Sequence, residues 1–248
     1  MKNIFKKNLV KLIKGCIGFI FFNNSKKENQ IFLYHEISYE PSIFAKEYKL
    51  NINPKTFEDQ IKWINKRYKI IDPLDLLKSE KIRRNNNNHT QKALITFDDG
   101  SISVLNNAAP ILRQLGLKAL FFLNMKPIEG GQFWAGKIHY LLNNDYKFNK
   151  LMQEKYSHEE NIFLHINDED LKSVSQEMQG EACKNKIKDY YGNFANIDQL
   201  RENSDVFVYG SHLYDHYNAA SLEEKDLKIQ IEKNKNSLSK INGYHQLF

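Results

Sequence analysis

From Ile31 onward the apolar residues fall into two alternating rhythms: short unbroken runs of strand length, and longer stretches with an apolar side chain every three or four positions. Ile31 to Tyr34 is a run of the first kind, ending at His35. Asn53-Pro54 then opens a stretch in which Phe57, Ile61, Ile64 and Tyr68 repeat at helical spacing, with Pro in the first turn where its missing N–H costs nothing. Lys69 to Ile71 returns to strand, and Asp72-Pro73 caps another helix. Ala93 to Phe97 is a further strand, running into Asp98-Asp99-Gly100. A helix follows that ends at Leu115-Gly116, with Pro110 marking its first turn or a kink, and then the strand Leu117 to Leu123. Such alternation predicts an α/β protein with a parallel sheet and covering helices, open or closed as a barrel.

The rhythm breaks at about residues 127–203, a stretch rich in Lys, Glu, Asn and Tyr. Helical runs such as Ile138 to Leu142 and Glu169 to Met178 occur there with few strand signals, which predicts a helical insertion. Val206 to Tyr209 resumes as a strand. Beyond it, Ser221-Leu222-Glu223-Glu224 has the form of a capping box, and its helix runs through Ile231 and Leu238 towards Gly243. Lys81 to Lys92, with four consecutive Asn, is a polar loop, and no internal repeat is visible.

Composition adds one asymmetry. The chain has 248 residues, 41% of them hydrophobic, ample for a core. Its formal charge of +6 resides in residues 1–30, where seven Lys face the single acid Glu28; the remainder is balanced, which argues against a nucleic-acid face. Within that segment Phe5, Leu9, Leu12, Ile13, Cys16, Phe19 and Ile20 share one arc of a helical wheel, with Lys7, Lys11 and Lys14 opposite. The uninterrupted apolar run, Gly15 to Phe22, is far short of the ~20 residues needed to span a bilayer. Lys11 and Lys14 interrupt a signal-peptide core, and no small-x-small cleavage site follows. Residues 1–22 are therefore expected to anchor the protein peripherally on an anionic membrane surface, with the cytoplasmic side favoured and an exported location as the alternative, and residues 31–248 to form one domain. A helix that merely covers the domain's own core is the competing reading. Cys16 and Cys183 have no companion in a metal-type or disulfide spacing.

The chemistry lies in two motifs. Asp98-Asp99-Gly100 taken alone is a turn, and His212 and His216 taken alone are two loop histidines, or neighbours on one face if helical. Each follows a strand-like run, however, and parallel α/β folds place their chemistry at strand ends. A carboxylate with two imidazoles is a ligand set suited to zinc or a similar divalent ion, and a spare carboxylate beside it is placed to act as a base towards water.

Thr96-Phe97-Asp98-Asp99-Gly100 followed by His212-x-x-x-His216 resembles the first two motifs of the polysaccharide deacetylases (NodB homology, carbohydrate esterase family 4). Supporting similarities are Leu33-Tyr34-His35, the run from Asn107 to Leu112, the run from Leu115 to Phe122, and Tyr209-Gly210-Ser211-His212, so that the likeness spans Ile31 to about Ile241. The resemblance implies a distorted (β/α) barrel and metal-dependent removal of acetyl groups from an N-acetylated sugar in a polysaccharide, glycolipid or sugar-nucleotide precursor. By position Asp99, His212 and His216 would bind the metal, zinc in the first instance with cobalt or manganese as alternatives, and Asp98 would be the base.

There are departures. Leu213 stands where the family has Ser or Thr, so a hydroxyl that braces the loop is missing, and the interval from Asp99 to His212 is about twice the usual one. The family continues into strands carrying an Arg or aromatic-Pro motif and a His acid for the leaving amine. The barrel is thus expected to be incomplete at the C-terminus, with metal bound and little turnover unless a second polypeptide supplies the rest. A non-catalytic remnant that binds carbohydrate or a partner is the alternative. Trp134 and Tyr140 are read either as core or as sugar-stacking residues, and His35 either as structural or as facing the site.

Overall fold

The computed structural model describes residues 29–77 and 91–246. The basic amphipathic segment and most of the asparagine-rich loop lie outside the described residues.

Strand β1 (Gln30–Tyr34) leads into β2 (Glu36–Ile37), which pairs in parallel with β3 (Asn51–Ile52) across the short helix α1 (Ile43–Glu47). There follow α2 (Pro54–Arg67), β4 (Lys69–Ile70), β5 (Lys92–Phe97), α3 (Ala109–Gln114), β6 (Ala119–Leu123) and α4 (Met125–Ile128). The longer helices α5 (Trp134–Asn144), α6 (Tyr146–Lys155), α7 (Glu181–Tyr191) and the short α8 (Ile197–Glu202) then precede β7 (Phe207–Ser211) and α9 (Glu224–Leu238).

Five of these strands form one parallel sheet in the order β1-β5-β6-β7, with β4 beside the start of β5. The α/β class and the parallel sheet are as the sequence predicts. Residues Ala93–Phe97 of β5 are buried on both faces, which is why that strand is apolar apart from Thr96, whose hydroxyl donates to Phe32 O at 3.4 Å. On one face Ile95, Phe97, Phe121, Phe207 and Tyr209 pack against Phe57, Ile61 and Ile64 of α2 and Leu112 of α3. Phe97 lies at the centre, its ring 5.7–5.8 Å from those of Phe57, Phe121 and Phe207. The other face carries Leu94, Leu120 and Val208 under Leu74 and Leu76. On the outer edge of β7, Tyr209 pairs in parallel with Tyr244, its N–H reaching Gly243 O at 2.9 Å. Among the described residues no ladder joins β7 to β1, and no helix is long and apolar enough to cross a membrane.

Local rules explain most element boundaries. Asn53 Oδ1 accepts from Thr56 N at 2.8 Å and Pro54 is the first residue of α2, as expected. Pro110 sits in the first turn of α3, which grows out of a wider π turn at Val104–Ala108. Proline cannot donate back along the helix, and the wider turn absorbs that interruption.

Three expected helices differ. Asp72 caps only a 3₁₀ turn at Pro73–Leu77, through Leu74 N. Glu169 to Met178 is not one helix but two single turns, Asp170–Ser173 and Gln176–Met178, because the Ser175 N–H donates to Asp145 Oδ2 at 2.8 Å instead of back along a helix. The capping box at Ser221 does not form: Ser221 Oγ donates to Asn218 O at 2.8 Å, closing the turn Ala219–Ser221, and the helix starts at Glu224. In each case a side chain or N–H finds a closer partner than the helix offers.

The helical stretch between β6 and β7 has its own apolar clusters. It returns along the Asp-Asp-Gly turn, where Ile102 N donates to Asn193 O at 3.1 Å and Ala195 N to Gly100 O at 3.0 Å.

Candidate metal centre and active site

Four neighbouring parallel strands end on one edge of the sheet, and the residue after each end carries a polar side chain. These are His35 after β1, Asp98 after β5, Asn124 after β6 and His212 after β7. Parallel pairing in register does the gathering, since Tyr34 lies beside Phe97 and Leu123 beside Ser211.

The Asp98 N–H still pairs with Tyr34 O at 3.1 Å, continuing the ladder one residue beyond β5. The chain then turns sharply, Asp99 at φ +75° and Gly100 at φ +108°. This turn sends the two carboxylates in different directions. Asp tolerates positive φ better than most residues, whereas a Cβ on Gly100 would meet Ile128 Cδ1 at 3.0 Å. The two histidines lie in a loop, not on a helix face, with Leu213 at φ +65° and His216 at φ +62°.

Asp99, His212 and His216 converge. Their ligand atoms all lie within 4.8 Å of one another, a placement no other such group has among the described residues. His216 Nε2 is 3.1 Å and His212 Nε2 3.7 Å from Asp99 Oδ1. Asp98 flanks the group, its Oδ2 3.9 Å from His212 Nε2 and 4.0 Å from His35 Nε2. Asp99 Oδ1 is buried and receives no well-aligned hydrogen bond, although His216 Nε2 lies 3.1 Å away and such an oxygen is costly to leave without a donor. One oxygen and two nitrogens gathered within 4.8 Å are a donor set suited to a divalent cation, and the residues fit one. His216 Nδ1 is also without a hydrogen bond, and its ring packs T-shaped with Phe133 at 5.2 Å and with His212 at 5.0 Å between centroids.

Electrostatics separate the two carboxylates. Burial, then the charge of Asp99, pushes Asp98 up to about 7. Burial would raise Asp99 too, but His216 in direct contact, with His35 and His212 behind it, outweighs burial and holds this carboxyl far below its usual range. Burial and His216 lower His212 to about 4, burial lowers His35, and His216 is raised because Asp99 overcomes its burial. Neighbouring carboxylates driven apart in this way can serve in different roles.

His35 therefore faces the site. Trp134 and Tyr140 do not: Trp134 is buried edge-on to Tyr217, and Tyr140 packs on Tyr190. The aromatic residues beside the site are instead Phe133 and Phe194, at the two ends of the helical stretch. With Phe44 and Ala45 they wall a cavity of about 20 Å³ next to Asp99 and His35, room for a water molecule or a methyl group. The sequence did not single out these residues or Asn124, whose only signal was a polar residue directly after a strand.

A family model described as polysaccharide deacetylase matches residues 85–248. Among solved structures, the chain is similar to the deacetylase PplD of Streptococcus pyogenes in complex with acetate, at 17% identity over 88% of this chain and 71% of that one, with a TM-score of 0.52. It is also similar to IcaB from Ammonifex degensii, at 16% identity over 86% and 67%, with a TM-score of 0.49. At these identities the likeness to solved structures is one of fold. No curated protein matches the chain.

Proposed function

The chain belongs to the polysaccharide deacetylase family, and from that premise we propose that it is a metal-dependent N-deacetylase acting on an N-acetylated sugar of a polysaccharide, glycolipid or sugar-nucleotide precursor. The observation that carries this reading is the buried Asp99 Oδ1, without a well-aligned hydrogen bond, gathered with the Nε2 atoms of His212 and His216, with Asp98 alongside.

Asp99, His212 and His216 hold the ion in this reading, zinc suiting the mixed nitrogen and oxygen set and cobalt or manganese serving as alternatives. A bound divalent ion supplies positive charge that polarises the amide carbonyl and acidifies water. Asp98 takes the proton of the attacking water, whose oxygen bonds to the amide carbon. The C–N bond then breaks, and the nitrogen leaves with a proton as a free amine while the acyl group leaves as acetate. Asp98, carrying the proton it took from water and raised to about 7 by burial, is the group placed to return that proton to the nitrogen, with His35, kept neutral by burial, 4.0 Å away. In this reading one carboxyl serves both steps, in place of the separate proton donor expected on a later strand. The small cavity between Phe133 and Phe194 receives the acetyl methyl.

The basic amphipathic residues 1–22 support a second part of the proposal: peripheral attachment to an anionic membrane surface on the cytoplasmic side, where a lipid-linked or membrane-assembled glycan would be within reach. Acetate release from N-acetylated oligosaccharides with added zinc, cobalt or manganese tests the activity. Release that stops with a chelator and with Asp98→Asn is the expected result, and metal uptake without any release would favour the non-catalytic reading.

A further inference from the structure

The loop between His212 and His216 holds two positive-φ residues, one of them a leucine, and a leucine does not adopt that conformation unaided. Something else must fix it. The side chain of Asn124, fully buried, donates through Nδ2 to the carbonyls of both His212 and Leu213, the latter at 2.9 Å. Both amide hydrogens are thus consumed, while Asn124 Oδ1 is buried and unpartnered. The residue functions here only as a double donor, which aspartate cannot imitate. Its backbone N–H reaches Asp99 O at 3.4 Å, so one residue touches the segments that carry the carboxylate ligand and the first imidazole ligand.

Helix α9 grips the same segments from the other side. Asn234, fully buried, accepts from Met125 N at 2.9 Å and donates to Leu123 O at 2.8 Å and Ser211 Oγ at 2.9 Å, tying the ends of β6 and β7 together. One helical turn earlier, Gln230 accepts from Asp215 N at 2.8 Å and donates to Asp215 Oδ2 at 2.9 Å, gripping the residue just before His216. Lys126 pairs with Asp215 from α4, and its N–H meets Tyr214 O at 3.2 Å. Buried side-chain amides therefore hold His212, Leu213 and Asp215 of the ligand loop, and the Lys126 N–H holds Tyr214.

We propose that Asn124 is the positioning residue of the metal centre, supplying the brace that Leu213 cannot, with Gln230 holding the second half of the loop. The inference rests on Asp99, His212 and His216 being the ligands. It requires that these amides set metal affinity and ligand geometry, and not only stability. Partners of this kind change affinity by about 10- to 100-fold when removed.

Titration of the chelator-treated protein with cobalt(II), followed by its visible absorption, is the test. Asn124→Ala and the milder Asn124→Ser should stay folded by circular dichroism, bind cobalt about 10- to 100-fold more weakly, and show an altered band shape, reporting displaced ligands. If Asn124→Ala does not fold, Asn124→Ser and Gln230→Ala carry the test, with the same weakening and band change expected. Wild-type affinity and an unchanged spectrum in the folded variants would overturn the proposal and leave the ligand set intact. Failure of the wild type to bind cobalt would overturn both.

Discussion

Asp98 and Asp99 are chemically identical neighbours, yet burial beside Asp99 lifts one while two imidazoles and His35 depress the other. The backbone turn at φ +75° makes the division possible. It predicts that the two positions fail differently when the carboxylate is replaced by its amide. Asp98→Asn should retain metal but release acetate about 10²- to 10⁴-fold more slowly, the range for loss of a positioned base. Asp99→Asn should lose metal. Parallel metal analysis and rate measurement check this, and equal metal loss in both variants would contradict the division of roles. These residues were legible because each pair lies within a few positions at the end of an apolar run. His35 was only half legible, since a lone histidine after a strand says nothing about its neighbours until β1 is known to pair with β5. Asn124 and Gln230 were not legible at all, because their partners lie far away in sequence and amides at helix or strand ends ordinarily serve as caps.

Elements were readable where a local rule met no competitor. Helix α2 has its Asn cap, its Pro at the first position and its apolar repeat, and it forms as read. Glu169 to Met178 has helical composition, but Asp145 captures the Ser175 N–H from outside, and Asp170 draws the Lys155 ammonium at 2.5 Å, the Tyr156 hydroxyl at 2.8 Å and the Asn167 N–H at 2.9 Å. Burial would raise the Asp170 carboxyl, yet the Lys155, Asn167 and Tyr156 bonds outweigh it and lower it. A carboxyl lowered by folding stabilises the native state above its unfolded value of ~3.9 and loses that contribution as pH falls through the folded value. Asp170→Asn should therefore be less stable than wild type near neutral pH, and the gap in urea midpoint should narrow below about pH 4. A gap independent of pH would contradict this account of the turn. Helices α5 and α7 meet closely at Gly136, where an added Cβ would lie 2.5 Å from Tyr191 Cβ. Gly136→Ala should cost about 1–3 kcal/mol by overpacking, read from urea unfolding, and an unchanged midpoint would show that the pair separates freely.

At the scale of the whole molecule, the alternation of strand and helix specified a parallel sheet, and parallel pairing delivered the ends of four strands to one edge. The helical stretch was visible as a break in rhythm, but not its contribution of Phe133 and Phe194 to the site, which depends on how it returns along the Gly100 turn. The N-terminal segment carries the entire net charge and is the part proposed to meet a membrane. Sedimentation with anionic vesicles should fall with rising salt and fall further when residues 1–22 are deleted, and equal binding by the deleted form would reject that role. The account stands above all on one ligand set being assembled from two distant turns. Metal content of the purified chain and of His216→Ala, measured by elemental analysis after equilibration with zinc, tests it most directly. One zinc per wild-type chain with occupancy largely lost in His216→Ala is the result expected, and equal zinc in both proteins would contradict it.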